Sequence, residues 1–450
     1  MGASPRRLGD LVASDATWAP DGERIAFTRG SDLFLARSDG TSFQKLASVP
    51  GLPSWPRWSP DGTRLRFVVY DAKTISSTLW EVFADGSNPH PLLPGWNNPP
   101  EEYSGNWTTD GKSFVFESQR NARSDIWVLR EEGGFFGHAN RQPVPLTTGP
   151  LSFKVPLPSR DGKKIFVVGI QPRGELARFD IRSRQFVPYL SGISAEGVSF
   201  SRDGQWATYV AFPEGTLWKS KVDGSERFQL TFPPMIVGLP RWSPDGKQIV
   251  FMGQMPGKPV KIHLVGAEGG RVQQLTTGDH NDSDPNWSAD GTSLVFAGNP
   301  GIETGTQSIN WLNLKTHRVT TLPGSEGLFT PRWSPDGRYI DASTSDPQKL
   351  MLFDFRTQKW RELAKAGVSY HNWSSDGQYI YFDNLALVPE PGIFRVRITD
   401  GKIERVVSLR DIRMPFGVFG TWIGLGPDNS PLILRDTSTQ EIYALDWDAP

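Results

Sequence analysis

Cysteine is absent from the 450 residues, which excludes disulfides, thiolate metal sites and cysteine nucleophiles in any compartment. Net charge is almost absent as well: 48 Lys and Arg against 49 Asp and Glu leave a formal charge of -1. A chain so balanced has no global attraction to nucleic acid or acidic membranes, so direct nucleic-acid binding is not expected. Long apolar runs are missing too. The first residues, MGASPRRLGDLVASD, carry two arginines with no hydrophobic stretch behind them, so neither a secretory signal nor a membrane segment is expected, and the compartment stays open. Arg6 breaks the myristoylation pattern. No G-x-S-x-G elbow, H-E-x-x-H helix or P-loop occurs, which removes the best-known sequence signatures of hydrolases and nucleotide-binding enzymes.

What the chain has in quantity is turn formers, 46 Gly and 37 Pro, in a length beyond the growth limit of one core. The turns are periodic. An aromatic residue, two small or polar residues and Asp-Gly recur as WAPDG (Trp18–Gly22), WSPDG (Trp58–Gly62, Trp242–Gly246, Trp333–Gly337), WTTDG (Trp107–Gly111), WSADG (Trp287–Gly291) and WSSDG (Trp373–Gly377). Degenerate copies are PSRDG (Pro158–Gly162), FSRDG (Phe200–Gly204) and GPDN at Gly426–Asn429. Motif aspartates stand 40 to 52 residues apart, the length of a four-stranded propeller blade. In Ser-Pro-Asp-Gly the proline presets φ for the first central position and the glycine takes the left-handed one, so each copy is a hairpin between a blade's first two strands. The recurring Trp is expected to pack between neighbouring blades, which cannot bury their faces alone.

These WSPDG-type units resemble the PD40 (WD40-like, TolB-type) repeat over essentially the whole chain, and their phrasing is similar to the C-terminal propeller arrays of acidobacterial winged-helix regulator-like proteins. The resemblance implies an all-β propeller of about ten four-stranded antiparallel blades, a protein or peptide partner with a small-molecule ligand as another option, and no cofactor. In such arrays a segment like Ser4–Leu8 closes a preceding blade. Two packed rings, 1–190 and 191–450 with a boundary between 146 and 204, agree with the usual 4 to 8 blades per ring. The alternative is one ten-bladed ring, in which the strand Arg6–Asp10 completes a last blade made of Leu432–Arg435 and Glu441–Asp446 and so removes an open edge.

Propeller ligands sit at the channel mouth, so the residues just before each motif Trp are the candidates. They are Arg57, Arg241 and Arg332 in three blades and Asn106, Asn286 and Asn372 in three others, and radial symmetry would gather them around one axis as donors for an anion or a peptide terminus. Their other reading is internal glue, each Arg paired with an Asp of the next blade. The preceding loops add Trp55, Tyr103, Phe329 and Tyr370, aromatics of the kind binding hot spots use. His371 is the one histidine at the channel mouth, while His263 reads as packed and the loop His280–Asp284 reads as a solvated acidic turn, with no metal site. With no catalytic constellation, the expectation is a non-catalytic scaffold, the sensing or interaction part of a larger bacterial regulator. The alternative is a propeller-type lyase or hydrolase with its site at the channel mouth, which would need several His or carboxylate groups converging on one point.

Overall fold

The Asp-Gly turns are the local unit from which the fold is built. In the computed structural model, which describes residues 7–8, 11–120, 123–131, 142–298, 307–344, 349–385 and 390–447, every motif glycine from Gly22 to Gly377 has φ between 67° and 75°, and Asn429 takes the same role at 62°. The hydroxyl at the head of the turn donates to the motif aspartate, as Ser59 Oγ does to Asp61 Oδ1 at 2.5 Å and Ser334 Oγ to Asp336 Oδ1 at 2.6 Å. That same aspartate accepts the backbone N–H two residues on, which ties the turn to the start of the second strand. The hydroxyl bonds hold Asp61, Asp110, Asp245 and Asp376 below the ordinary carboxylate range.

Regular structure is all strand apart from one short 3₁₀ turn, Leu190–Gly192, among the described residues. The strands form nine four-stranded sheets and one of three strands, each antiparallel. They divide into two compact units, Met1–Gln171 with Thr439–Pro450, and Pro172–Ser438. The break after 171 falls within the expected 146–204, while the end of the chain joins the first unit instead of 191–450. The cause is strand exchange at the end of the chain: Thr439–Asp446, expected as the third strand of the last blade, pairs instead with Lys164–Gln171 of the first unit. The last blade takes its outer strands from Gly174–Asp180 and Gln185–Pro188, so its order runs from Ile423–Leu425 through Pro431–Asp436 back to those earlier strands. Closure by Arg6–Asp10 falls largely outside the described residues, and the place assigned to that strand is filled by Gln185–Pro188.

The second unit thus has six sheets. Leu176, Trp422 and Leu432 of the closing sheet pack with Ala195 and Val198 of the sheet that follows it, while Ile423 and Ile433 pack with Tyr381 and Ile393 of the sheet before it. The closing sheet is therefore buried on both faces. The first unit has three four-stranded sheets and the three-stranded one. Its motif Trp residues lie against the preceding sheet, Trp58 on Ala19 and Ala26 and Trp107 on Val68 and Leu79. Trp18 departs from the expected burial and is 53% exposed, because no described sheet precedes its own.

Candidate functional site

Six of the first strands carry a feature that positions the site. The register of Ile236–Trp242 against its partner jumps from Gly238 opposite Met252 to Arg241 opposite Val250, so two residues face one. The same bulge recurs in Leu52–Trp58, Ser152–Pro158, Ala195–Phe200, Asp282–Trp287 and Leu328–Trp333. Its first residue, three before the Trp position, adopts a left-handed backbone at Trp55, Val155, Gly197, Leu239, Asp284 and Thr330. Bulges re-aim a side chain and relieve one residue of pairing. The residue they relieve is a proline in Pro56, Pro156, Pro240, Pro285 and Pro331, which has no N–H to lose.

The consequence in the second unit is that Leu239, Asp284 and Thr330, from three different sheets, line one cavity of about 440 Å³ with Tyr370, Phe419 and Thr421. A second, small cavity of about 10 Å³ adjoins the same residues and is lined by Glu196, Gly197, Leu239, Tyr370, Phe419 and Trp422. That volume is at the lower limit for one water molecule. The segment Arg413–Gly420 supplies Phe419 to both cavities. It turns back on itself through paired bonds between Gly417 and Gly420 and donates the Val418 N–H to Glu196 Oε1 at 2.7 Å. A Cβ at Gly417 would overlap the Glu196 carboxylate, so a larger residue there would push that carboxylate away from the Val418 N–H.

Charge in this region is concentrated on four side chains. Arg332 Nη2 donates to Asp284 Oδ1 at 3.0 Å, and both partners are largely buried. Arg241 interacts with Arg332, Tyr370 and Asp284, and its guanidinium is pushed down to about 10 by burial first and then by the like charge of Arg332. Burial raises the Tyr370 phenol. Glu196 is lifted to about 7 by burial, with the Val418 N–H acting against the shift. A carboxyl poised there can lose or take a proton at neutral pH.

The residues expected from the sequence are sorted by these contacts. Tyr370 lines the cavity, and Arg332 and Arg241 stand next to it. Arg57 does not act as a free donor, since its Nε bonds Asn106 Oδ1 at 3.0 Å and its Nη1 bonds the Pro56 carbonyl. The three asparagines are glue to the following sheet: Asn106 donates to the Pro156 carbonyl, Asn286 accepts the Trp333 N–H, and Asn372 donates to the Ile423 carbonyl. His371 does not open on the channel. It is fully buried with its Nε2 2.7 Å from Asp341 Oδ2, off hydrogen-bond alignment. The acidic turn is not a solvated one either, because Asp282 is 1% exposed and holds Lys261 Nζ at 2.8 Å. His263 is packed, stacked on Phe251 with ring centres 5.6 Å apart. Glu196, Asp284, Phe419 and the bulge were missed, and the recurring proline two before the Trp was the signal that could have found the bulge.

Residues 197–366 match the family model described as PD40, the TolB beta propeller domain. Among curated proteins, the chain is 27% identical over 222 residues to the uncharacterized peptidase YuxL of Bacillus subtilis, covering 47% of this chain and 31% of that protein. It is 23% identical over 140 residues to dipeptidyl-peptidase 5 of Porphyromonas gingivalis, covering 27% of this chain and 20% of that one. The chain thus spans a third or less of the length of these curated relatives. A solved TolB structure from Agrobacterium tumefaciens is similar at 19% identity and a TM-score of 0.47, with 59% of this chain and 99% of that one covered. Relatives named as peptidases overturn the expectation of a non-catalytic scaffold that is no enzyme, and turn the functional reading to the propeller-enzyme alternative. The match from 197 to 366 falls inside the second unit, and there the chain carries a β-propeller domain of the PD40, TolB type.

Proposed function

We propose that this chain is a propeller-type hydrolase acting on peptides, with its site at the axial cavities of the second unit. The observation that carries the reading is that Glu196 and Tyr370, from different sheets, line one water-sized cavity, and that the Glu196 carboxyl titrates near neutrality. Two further facts support it, the cavity of about 440 Å³ next door, which has room for a peptide side chain, and the peptidase names of the curated relatives. Glu196 is assigned as general base toward a hydrolytic water, its orientation fixed by the Val418 N–H, and as the acid that hands the same proton to the departing amine when the C–N bond breaks. Tyr370, kept protonated by burial, is placed as the donor to the oxyanion that forms when water adds to a peptide carbonyl. Leu239, Met252 and Phe419 make the apolar wall that receives the substrate side chain. The regulator role suggested by the acidobacterial resemblance does not enter this reading.

The test is a mixture of short synthetic peptides incubated with the chain and read by mass spectrometry. Cleavage is expected, with a rate that climbs as pH rises through about 7, where Glu196 ionises. Tyr370→Phe should lower kcat by about a hundredfold, the order seen when one oxyanion donor is removed. Glu196→Gln should abolish turnover. Absence of cleavage by the folded chain, or an unchanged rate in Glu196→Gln, would overturn the assignment.

A further inference from the structure

Buried hydrogen-bond donors outnumber acceptors beside the larger cavity. Arg332 spends Nη1 on the Pro331 carbonyl and Nη2 on Asp284, and its buried Nε has no partner. Arg241 has only the Pro240 carbonyl, at 3.3 Å from Nη1, and its Nη2 is buried without a partner. Among the described residues, the two guanidinium groups therefore share one ionised neighbour, Asp284, which itself lines the cavity. Unpaired buried donors on cations are costly, and arginine pairs a carboxylate through a planar fork. The equivalent first-unit residue, Arg57, shows what satisfaction looks like at this position, with a side-chain acceptor on Nε and a carbonyl on Nη1.

We infer that the second unit binds a carboxylate between Arg241 and Arg332, and that the carboxylate belongs to a peptide held in the cavity lined by Asp284, Thr330, Tyr370 and Phe419. The substrate class is then a peptide anchored by a free carboxyl group, with the adjoining side chain against Leu239 and Phe419. This rests on the peptide reading above and adds the end by which the peptide is held. A carboxyl can come from the chain terminus or from an acidic side chain. The chain terminus is taken as the source, and an acidic side chain is the competing one.

Calorimetric titration of the whole chain tests this without any hydrolysis being read, at pH 5.5, where Glu196 is protonated. The probes are N-acetyl-Ala-Leu-Phe with a free carboxylate, the same peptide as its C-terminal amide, and N-acetyl-Glu-Ala-Leu-Phe amide. The free acid should bind about ten- to a hundredfold more tightly than its amide, the range for one charge-assisted hydrogen bond or two. Equal binding of acid and amide in the wild-type chain overturns the inference, whether or not any variant folds. Tighter binding of the Glu-containing amide than of the free acid overturns the choice of the terminus. Arg241→Met should bring the ratio of acid to amide close to one. Asp284→Asn should raise it, by freeing Arg332 Nη2, whereas a purely structural role for Asp284 would leave the ratio unmoved. Preference for the acid without cleavage would leave the binding site standing and remove the hydrolase, and cleavage without that preference would do the reverse.

Discussion

The two units of this chain use one repeat and one turn, yet they arrive at different interiors along their first strands. In the first unit the arginine before the motif Trp is satisfied: Arg57 bonds Asn106, and Asn106 bonds Pro156, so three successive sheets are joined by a relay. In the second unit the same position holds Arg241 and Arg332, with one carboxylate between them and buried donors left over. The burial pattern of acids differs also. The first unit carries Glu101 and Glu102, both raised to about 7 by desolvation, whereas the second carries Glu196 at a cavity wall, bonded to the Val418 N–H. A repeat therefore fixes where a side chain stands, and the neighbouring blade decides whether it is glue or site.

Four substitutions sharpen the contrast, in falling order of effect. Trp333→Ala in the second unit should cost about 3–5 kcal/mol, since it empties a packed site, while Trp18→Ala in the first should stay within about 0.5 kcal/mol. Urea unfolding monitored by tryptophan fluorescence reads both, and a similar cost for the two would mean that the exposure of Trp18 is wrong. Next, Arg332→Met removes the bonded cation of the largely buried Asp284 and should cost about 3 kcal/mol. Arg57→Met removes bonds to neutral partners only and should cost about 1.5 kcal/mol.

The buried acids give a pH effect of opposite sign from the motif aspartates. Glu102 and Glu196 have folded values above their unfolded ones, so the stability they add is fully present below about 4.5 and is lost as pH rises through about 7. The motif aspartates are depressed, so theirs is present above their unfolded value and lost as pH falls below it. Thermal melts from pH 4.5 to 8 should decline, and Glu102→Gln and Glu196→Gln should each flatten the decline by roughly 2 kcal/mol. A slope unchanged in both variants would place the titration elsewhere. The smallest effect belongs to the shared turn: Gly62→Ala and Gly337→Ala, at φ of 70° and 75°, should each cost about 1 kcal/mol, and by the same amount in both units.

The turns were legible in the sequence because their chemistry is local, with proline, aspartate and glycine each filling one torsional requirement within four residues. The all-β repeat followed from their spacing. The destination of Thr439–Asp446 was not legible, because it depends on which distant edge is open. Nothing within that strand separates pairing with Lys164–Gln171 from pairing with Pro431–Asp436. In the same strands the residues that line the larger cavity stand two positions before the arginines and asparagines picked from the sequence, for a subtler reason. Counting back one from the Trp assumes an unbroken strand, and the bulge marked by Pro240, Pro285 and Pro331 puts the residue before the proline on the cavity wall. His371 misled because proximity in sequence to the channel says nothing about the depth of Asp341 behind it.

The measurement that bears most directly on the account is covalent mapping of a bound peptide. A short peptide with a free carboxylate and a photoreactive benzophenone side chain is irradiated on the whole chain, and the adducts are located by mass spectrometry. The account predicts labelling of Leu239, Met252 or Phe419, around the cavity that Tyr370 lines in the second unit, and its loss in Arg241→Met. Adducts confined to first-unit residues such as Tyr103 or Trp55, or labelling of the second unit that Arg241→Met leaves intact, would contradict it.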